Sequence, residues 1–456
     1  MDTPRIGISC ILLLLHVVGP SAHGDLLPGG EATVFDASVN AFSLPATNLS
    51  LKEHPRFFAG NAFFNRNWVD AASEVNGSDG LGPLFSVRSC STCHFKDGRG
   101  QPPIGSAVPN GWLMRLSIPG EGEQGSPNPD PTYGNQISVR ALPGLEPEAR
   151  IRIRYHTIQE LYPDYVAYQL MKPDYTVDNW KYGEPHPELM TSPRVASAVF
   201  GLGLLDAIPE DTLLNLADPD DTDEDGISGR PNWVWSKSLN AKAVGRFGWK
   251  SNKATLLDQT AGAFVGDMGI TSDLFPNENH TEVQGIGDDY PSGGNPEIAK
   301  QDLEDVVFYL QTLAVPAARI QDRANFKKGK QLFETIQCAA CHVPVLKTAD
   351  EYPIEALAGQ LIRPYTDLLL HDMGEGLADG RPDFDAAGNE WRTPPLWGIG
   401  LLEKVNGHTR LLHDGRARNV EEAILWHGGE AEKSREAFKS LTAEDRMLVI
   451  QFVESL

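Results

Sequence analysis

Two five-residue strings in this chain have the composition and spacing to hold a redox cofactor: Cys90-Ser91-Thr92-Cys93-His94 and Cys338-Ala339-Ala340-Cys341-His342. Both read C-x-x-C-H. Thiols at i and i+3 can each add to one of the two vinyl groups on a porphyrin edge. The histidine that follows directly then lies under the ring with a nitrogen aimed at the iron. A disulfide-exchange pair or half of a zinc site uses the same cysteine spacing, but neither needs histidine at the next position. Two copies among only five cysteines favour two covalently bound c-type haems. Cys90, Cys93, Cys338 and Cys341 are the expected attachment points, and His94 and His342 the expected proximal iron ligands.

A second constellation is Asp221-Thr222-Asp223-Glu224-Asp225-Gly226. Alternate carboxylates can converge on one hard cation, and Gly226 permits the tight turn of an EF-hand-type loop. On that template calcium takes Asp221, Asp223, Asp225 and the Ile227 carbonyl, with Gly229 where water often serves and Asn232 in the twelfth place. A bidentate Glu is usual there, so Asn232 should weaken affinity. Asp218 and Asp220 stand near enough to add ligands. The competing reading is a solvated acidic loop.

These motifs sit in matching frames. Phe57-x-x-Gly60-x-x-x-Phe64 precedes the first, and Phe326-x-x-Gly329-x-x-x-Phe333 precedes the second. Each spacing predicts a helix with aromatics and a glycine on one face, the glycine letting another helix cross closely. Closing helices are predicted over Asp302–Leu313 and Asp445–Leu456, the latter capped by Thr442 with Asp445. A front helix, a haem motif and a closing helix make the class I cytochrome c plan. The expected fold is therefore mainly α, with two class I cytochrome c-like domains. The first carries a large loop-rich insertion containing some β: Arg150–Tyr155 alternates like a strand, while Pro102–Gly111 and Pro119–Pro131 read as loops. The expected division is a signal peptide over 1–24, a first domain over 25–315 that includes the calcium loop, and a second over 316–456. The linker falls at Ala314–Ala318.

A length of 456 residues suits two or three domains. The net charge of −23 argues against nucleic acid or an anionic membrane surface as partner. Arg5, the apolar run Ile6–Val18 and the small residues around Ala22-His23-Gly24 form a secretory signal. Cys10 lies in that run and leaves with it, so all four remaining cysteines belong to the haem motifs. No other segment is long and apolar enough to span a membrane. A periplasmic or secreted protein is expected.

For the sixth ligand of the second iron the candidates are His371, Met373, His408, His413 and His427. Here the chain resembles a family. Trp391-Arg392-Thr393-Pro394-Pro395-Leu396-Trp397-Gly398, Leu412-His413-Asp414-Gly415-Arg416-Ala417 and Glu421-Glu422-Ala423 resemble the C-terminal domain of bacterial di-haem cytochrome c peroxidases, in particular the di-haem oxidoreductase branch. So do Gly245–Lys250, Gly266–Ser272 and Tyr365–Gly374, and the resemblance covers most of the mature chain. In that family a methionine from the helix after the H-D-G string caps the high-potential haem. The corresponding helix here carries His427, so the resemblance implies a His342/His427 pair with a lowered potential, Met373 being the runner-up. Arg416 or His413 would meet haem propionates. For the first haem, Met114 and His156 are near in sequence but no distal ligand stands out, which fits an open peroxidase site. Glu146, Glu148 and His156 are the candidates to protonate a leaving oxygen. Trp249, and Trp112 with it, would lie between the haems and shorten the electron path; the competing reading is a tryptophan packed against porphyrin or core. The resemblance implies an enzyme that reduces hydrogen peroxide at the N-terminal haem, with electrons from a small redox protein relayed through the C-terminal haem. Its rivals are a di-haem oxidase that modifies a protein or organic substrate, and a non-catalytic electron-transfer protein.

Overall fold

The computed structural model of the protein describes residues 24–71, 77–103, 110–287 and 290–456. The signal-peptide reading, Cys10 included, lies outside the described residues save for Gly24. No helix among the described residues is long and apolar enough to cross a membrane.

Six helices matter for the site: α1 (His54–Phe64), α2 (Leu256–Met268), α3 (Lys300–Thr312), α4 (Arg323–Thr335), α5 (Val420–Trp426) and α6 (Ala443–Ser455). Six strands join them: β1 (Trp112–Glu121), β2 (Arg150–Leu161), β3 (Ala167–Asp178), β4 (Met190–Val195), β5 (Leu370–Asp372) and β6 (Glu390–Arg392).

Helices α1 and α3 cross at Gly60, where a Cβ would lie 2.0 Å from the Asp305 carbonyl oxygen. Helices α4 and α6 cross at Gly329, where a Cβ would lie 2.3 Å from the Leu448 carbonyl oxygen. Only glycine admits either backbone approach. The aromatics packed at each crossing match as well. Phe57 and Phe64 lie 4.9 and 5.4 Å from Tyr309, and Phe326 and Phe333 each lie 5.3 Å from Phe452. The Thr442 hydroxyl accepts from the Asp445 amide and caps α6.

The fold as a whole departs from expectation. The chain is about 30% helical and 20% strand, with several small sheets, and is not a mainly α protein of two class I cytochrome c-like domains. Apart from Leu84–Phe85, which precedes the first motif, the strands come from the insertion and from the loops after the second motif. Strand β2 begins at Arg150 as its alternation predicts, then runs to Leu161 and pairs antiparallel with β3 from Arg150↔Asp178 to Leu161↔Ala167. Pro173 is tolerated because the ribbon has only two strands and every residue sits on an edge. Strand β1 pairs with β4, Trp112↔Val195 through Ser117↔Met190, and runs on through Pro119, where a loop was expected. The short pair β5–β6 sets His371 opposite Trp391.

The β2–β3 ribbon reaches over the second half of the chain. Tyr162 donates to Glu421 (2.8 Å), Tyr175 to Asp414 (2.6 Å), and Arg446 to Asp164 (2.8 Å). The segment read as a linker is packed inside: Ala314 and Val315 are buried, and the Val315 carbonyl accepts from the Val34 amide. One apolar cluster runs through both halves.

Candidate functional site

The two C-x-x-C-H strings open onto one cavity of about 410 Å³, which Cys90, Cys93, His94, Cys338, Cys341 and His342 all line. That volume falls in the range of cofactor pockets. The first motif is a single helical turn, Cys90–Cys93, and the second a tighter turn, Cys338–Ala340. Both place the following histidine alike. His94 Nδ1 meets the Ser197 carbonyl at 2.7 Å and His342 Nδ1 meets the Tyr365 carbonyl at 2.9 Å. A carbonyl only accepts, so Nδ1 carries the proton in each, and Nε2 keeps its lone pair for a metal. Burial lowers the pKa of both rings, His342 to about 4, which favours the neutral, ligating form. Burial also pushes the Cys90 and Cys338 thiols up to about 12 and raises those of Cys93 and Cys341. A thiol that keeps its proton is a poor nucleophile, so disulfide exchange is disfavoured.

In the second compartment His427 closes α5, lines the cavity, and turns Nδ1 to the Ala423 carbonyl at 2.6 Å. Its Nε2 meets no partner among the described residues, and its charge, if present, would be felt by His342. Met373 lines the same compartment. The other candidates are engaged. His371 is held between two carboxylates, Nδ1 to Glu430 at 2.7 Å and Nε2 to Asp367 at 2.8 Å. Burial works against its charge, but the two carboxylates override it and raise its pKa well above the ordinary value. Cys341, Asp367 and His371 stand close enough to share a metal ion, yet with both ring nitrogens donating, His371 makes an ion pair and not a ligand. His408 has both nitrogens on backbone groups, the Arg99 carbonyl and the Arg410 amide. His413 stacks on Trp391 at 3.7 Å. Its Nε2 has no hydrogen-bond partner among the described residues, with Asp414 Oδ2 4.0 Å away, and burial pushes its pKa down to about 3. Arg416 is turned to Asp414 (2.8 Å) and the Gly376 carbonyl (2.5 Å), which leaves His413 better placed for a propionate.

In the first compartment the sequence candidates do not reach the cavity. Met114 is fully buried on the far face of β1, whose alternation sends Leu113 and Arg115 inward instead. His156 is exposed on the β2–β3 ribbon, 3.9 Å from Asp174. Glu146 faces Lys181 at 3.5 Å. Glu148 is buried elsewhere, accepting from the Ser138 amide and the Gln284 amide group at 2.5 Å each. Burial raises its pKa to about 7 despite these bonds. The wall is built by α2, which lays Leu256, Gln259, Thr260, Ala263 and Asp267 along one helical face. Asp267 accepts from Gln136 at 2.8 Å, and burial raises its pKa. Arg115, Lys253, Thr260, Asp267 and Met268 are the wall residues that sequence reasoning missed. Asp267 and Met268 stood in the string Gly266–Ser272, and Arg115 follows from strand alternation in Trp112–Ser117.

Trp249 lies on the cavity wall, donates to the Val195 carbonyl at 2.7 Å, and carries the Arg99 guanidinium 4.9 Å from its ring. Trp112 is not on that wall and packs on Tyr175.

The acidic loop brings Asp221, Asp223 and Asp225 together, with carboxylate oxygens within 4.8 Å of one another. Asp221 Oδ1 accepts from the Gly226 amide at 3.0 Å, and Asp225 Oδ1 from the Ile227 amide at 2.8 Å; Gly226 sits at φ +88°. The twelfth position does not join them. Asn232 is fully buried, its amide donating to the Lys250 and Asp383 carbonyls and its oxygen accepting from the Asp385 amide. The Gly229 carbonyl already accepts from the Asp218 amide at 2.9 Å. The loop is tied to the second compartment: Ser228 donates by amide and hydroxyl to Glu430, the carboxylate that holds His371.

The family model described as "Di-haem oxidoreductase, putative peroxidase" matches residues 25–114 and 121–456. No curated protein matches the chain. Among solved structures, a chain described as Kuenenia stuttgartiensis hydrazine synthase pressurized with 20 bar xenon matches at 14% sequence identity, covering 100% of both chains, with a TM-score of 0.35. A likeness that weak says nothing of fold or chemistry.

Proposed function

The chain belongs to the di-haem oxidoreductase family, and on that premise we propose that it is an exported peroxidase that reduces hydrogen peroxide. In this reading Cys90 and Cys93 with His94, and Cys338 and Cys341 with His342, hold two covalent c-type haems. His427 caps the second iron, and the first keeps an accessible face. The residues fit such groups: paired cysteines and a histidine with a free Nε2 twice line one cavity. Bound there, the haems would supply the one-electron chemistry that no side chain provides.

The observation that carries the proposal is the inequality of the compartments. A second imidazole, His427, lines the cavity near enough to His342 for its charge to bear on that ring, whereas no histidine among the described residues bears on His94 in the same way. An iron with two strong ligands passes electrons, and one with a free face meets the oxidant. Ser197 and Tyr365 hold the two imidazoles through Nδ1, and Trp249 lines the cavity onto which both motifs open. The electron donor would be a small redox protein. Asp221, Asp223 and Asp225 would hold calcium and stiffen the segment that leads through Ser228 to Glu430.

The test is an EPR spectrum of the oxidised protein, followed by mixing with hydrogen peroxide and a reduced cytochrome. One high-spin iron, one bis-imidazole low-spin iron and rapid oxidation of the donor support the reading. Two low-spin irons that bind neither cyanide nor azide would overturn it. They would favour the electron-carrier reading, to which Met268 on the first wall offers a capping sulphur.

A further inference from the structure

Seven Arg and Lys side chains lie on the cavity wall, in a chain whose net charge is −23. Five have partners. Arg99 donates to the Leu412 carbonyl, Arg194 to Asp383, Arg246 to the Ile208 carbonyl, Arg392 to the Gly248 carbonyl and Arg435 to the His427 carbonyl. The Arg115 and Lys253 side chains make no hydrogen bond or ion pair among the described residues; the Lys253 ammonium stands 5.7 Å from the Phe275 ring. Neither is a stray surface charge. Arg115 projects into the cavity between the fully buried neighbours Met114 and Leu116. The Lys253 ammonium lies along α2, 3.6 Å from where a Cβ of Gly262 would stand. Asp267 and Asp383 lie near enough to offset part of the Arg115 charge, and Asp258 and Asp383 part of that of Lys253, but none bonds either cation: Asp383 is held by Arg194 and Arg381, and Asp267 accepts from Gln136. Burial lowers the pKa of both cations, and the Arg115 charge lowers that of Lys253 further. A third group on this wall is also unsatisfied. The Thr260 hydroxyl, on the cavity face of α2, is 5% exposed and has no partner. Buried cations without hydrogen-bond acceptors and an unbonded hydroxyl both cost free energy away from water, so the three groups together call for a ligand.

We infer that Arg115, Lys253 and the Thr260 hydroxyl form a binding site for an anionic oxygen group in the first compartment. Two sources share that chemistry: the propionate carboxylates of the first haem, which rests on the function proposed above, and a free inorganic oxyanion, which does not. A guanidinium can grip either through two parallel N–H donors, and the ammonium adds a point charge.

The experiment uses the holoprotein and its R115Q/K253Q variant, neutral near-isosteres chosen to keep the wall filled, with R115K and T260V beside it. Two readouts are taken, the midpoint potential of the first haem and its absorption spectrum during titration with inorganic phosphate. If the site holds propionates, R115Q/K253Q lowers the first potential and leaves the second unchanged, R115K restores most of the shift, and phosphate has no effect on the wild type. If it holds a free oxyanion, phosphate shifts the wild-type spectrum saturably, and its affinity falls at least tenfold in R115Q/K253Q and by less in T260V. Should R115Q/K253Q carry both haems and alter neither the potential nor the phosphate response, the site does not exist. A wild-type protein without haem would instead overturn the di-haem reading. Phosphate binding by calorimetry, retained in wild type and lost in R115Q/K253Q, would then still support the anion site, and its absence in the wild type would remove it.

Discussion

The two compartments start from the same parts and end differently. Each has a glycine-mediated helix crossing, a C-x-x-C-H turn, an aromatic ring 6.2 Å from the motif histidine, and a backbone carbonyl on that histidine's Nδ1. The supporting scaffold is thus duplicated. The opposite wall is not. In the second compartment α5 delivers His427, and the β5 loop adds Met373 and the Glu430–His371–Asp367 ion pair. In the first, α2 delivers Thr260, Gln259 and, at its end, Met268, and β1 delivers Arg115, so hydrogen-bonding groups, charge and a thioether stand where the second has an imidazole. A repeated scaffold fixes the proximal side, and the unrepeated sequence sets the chemistry of each centre.

Four measurements would break or sharpen that contrast. The largest effect is expected for His427→Ala, which should abolish the bis-imidazole EPR signal and turn the second iron high-spin without altering the first. Persistence of the signal would hand the sixth position to another residue, Met373 first.

Next in size is the helix crossing, where the halves should behave alike. Gly60→Ala and Gly329→Ala each drive a methyl into a carbonyl. Each should cost about 3 kcal/mol or more, because rigid helices cannot both give way. Thermal unfolding that tolerated one substitution but not the other would show that the two crossings are not equivalent.

The third effect separates the crossings. Tyr309 donates to Asp97 at 2.7 Å and accepts from Asn61 at 2.8 Å, whereas Phe452 takes its place in the second half. Tyr309→Phe should cost about 2 kcal/mol, since it strips a buried carboxylate of a donor. Burial pushes the Asp97 pKa up to about 6, with the Ser43 and Tyr309 hydroxyls opposing the rise. The native state therefore holds this proton more tightly than the unfolded chain. Its contribution to stability is complete below about pH 4 and is lost as pH climbs through 6. Without the Tyr309 hydroxyl the native pKa rises further, so Y309F should lose more stability at pH 7 than at pH 4 in denaturant titrations. An equal loss at both would leave Asp97 out of the account.

The smallest effect is expected at the acidic loop. With Asn232 turned away, three carboxylates remain, and affinity should be modest. Free calcium at ten times its dissociation constant should stabilise the protein by about 1.4 kcal/mol, and Asp223→Asn should abolish that gain. A melting temperature indifferent to calcium and chelator alike would return the loop to an ordinary solvated turn.

The amino-acid sequence alone determined the parts whose chemistry is local. On the proposed reading the C-x-x-C-H spacing answers to one porphyrin edge; the phenylalanine–glycine period is set by one helical face and the alternate aspartates by one turn, so neighbours in the chain suffice to specify each. Tertiary structure decided the rest because it depends on partners far apart in the chain. Arg115 faces the cavity through the register of β1 against β4. Asn232 leaves the acidic loop because its amide is bound by carbonyls of Lys250 and Asp383. The His371 ring is tied up by Asp367 and by Glu430, fifty-nine positions away. The mixed fold has the same origin: strands gain their hydrogen bonds only from other strands, and no local period announces that Arg150–Leu161 will find Ala167–Asp178 or that their ribbon will lie across the second half.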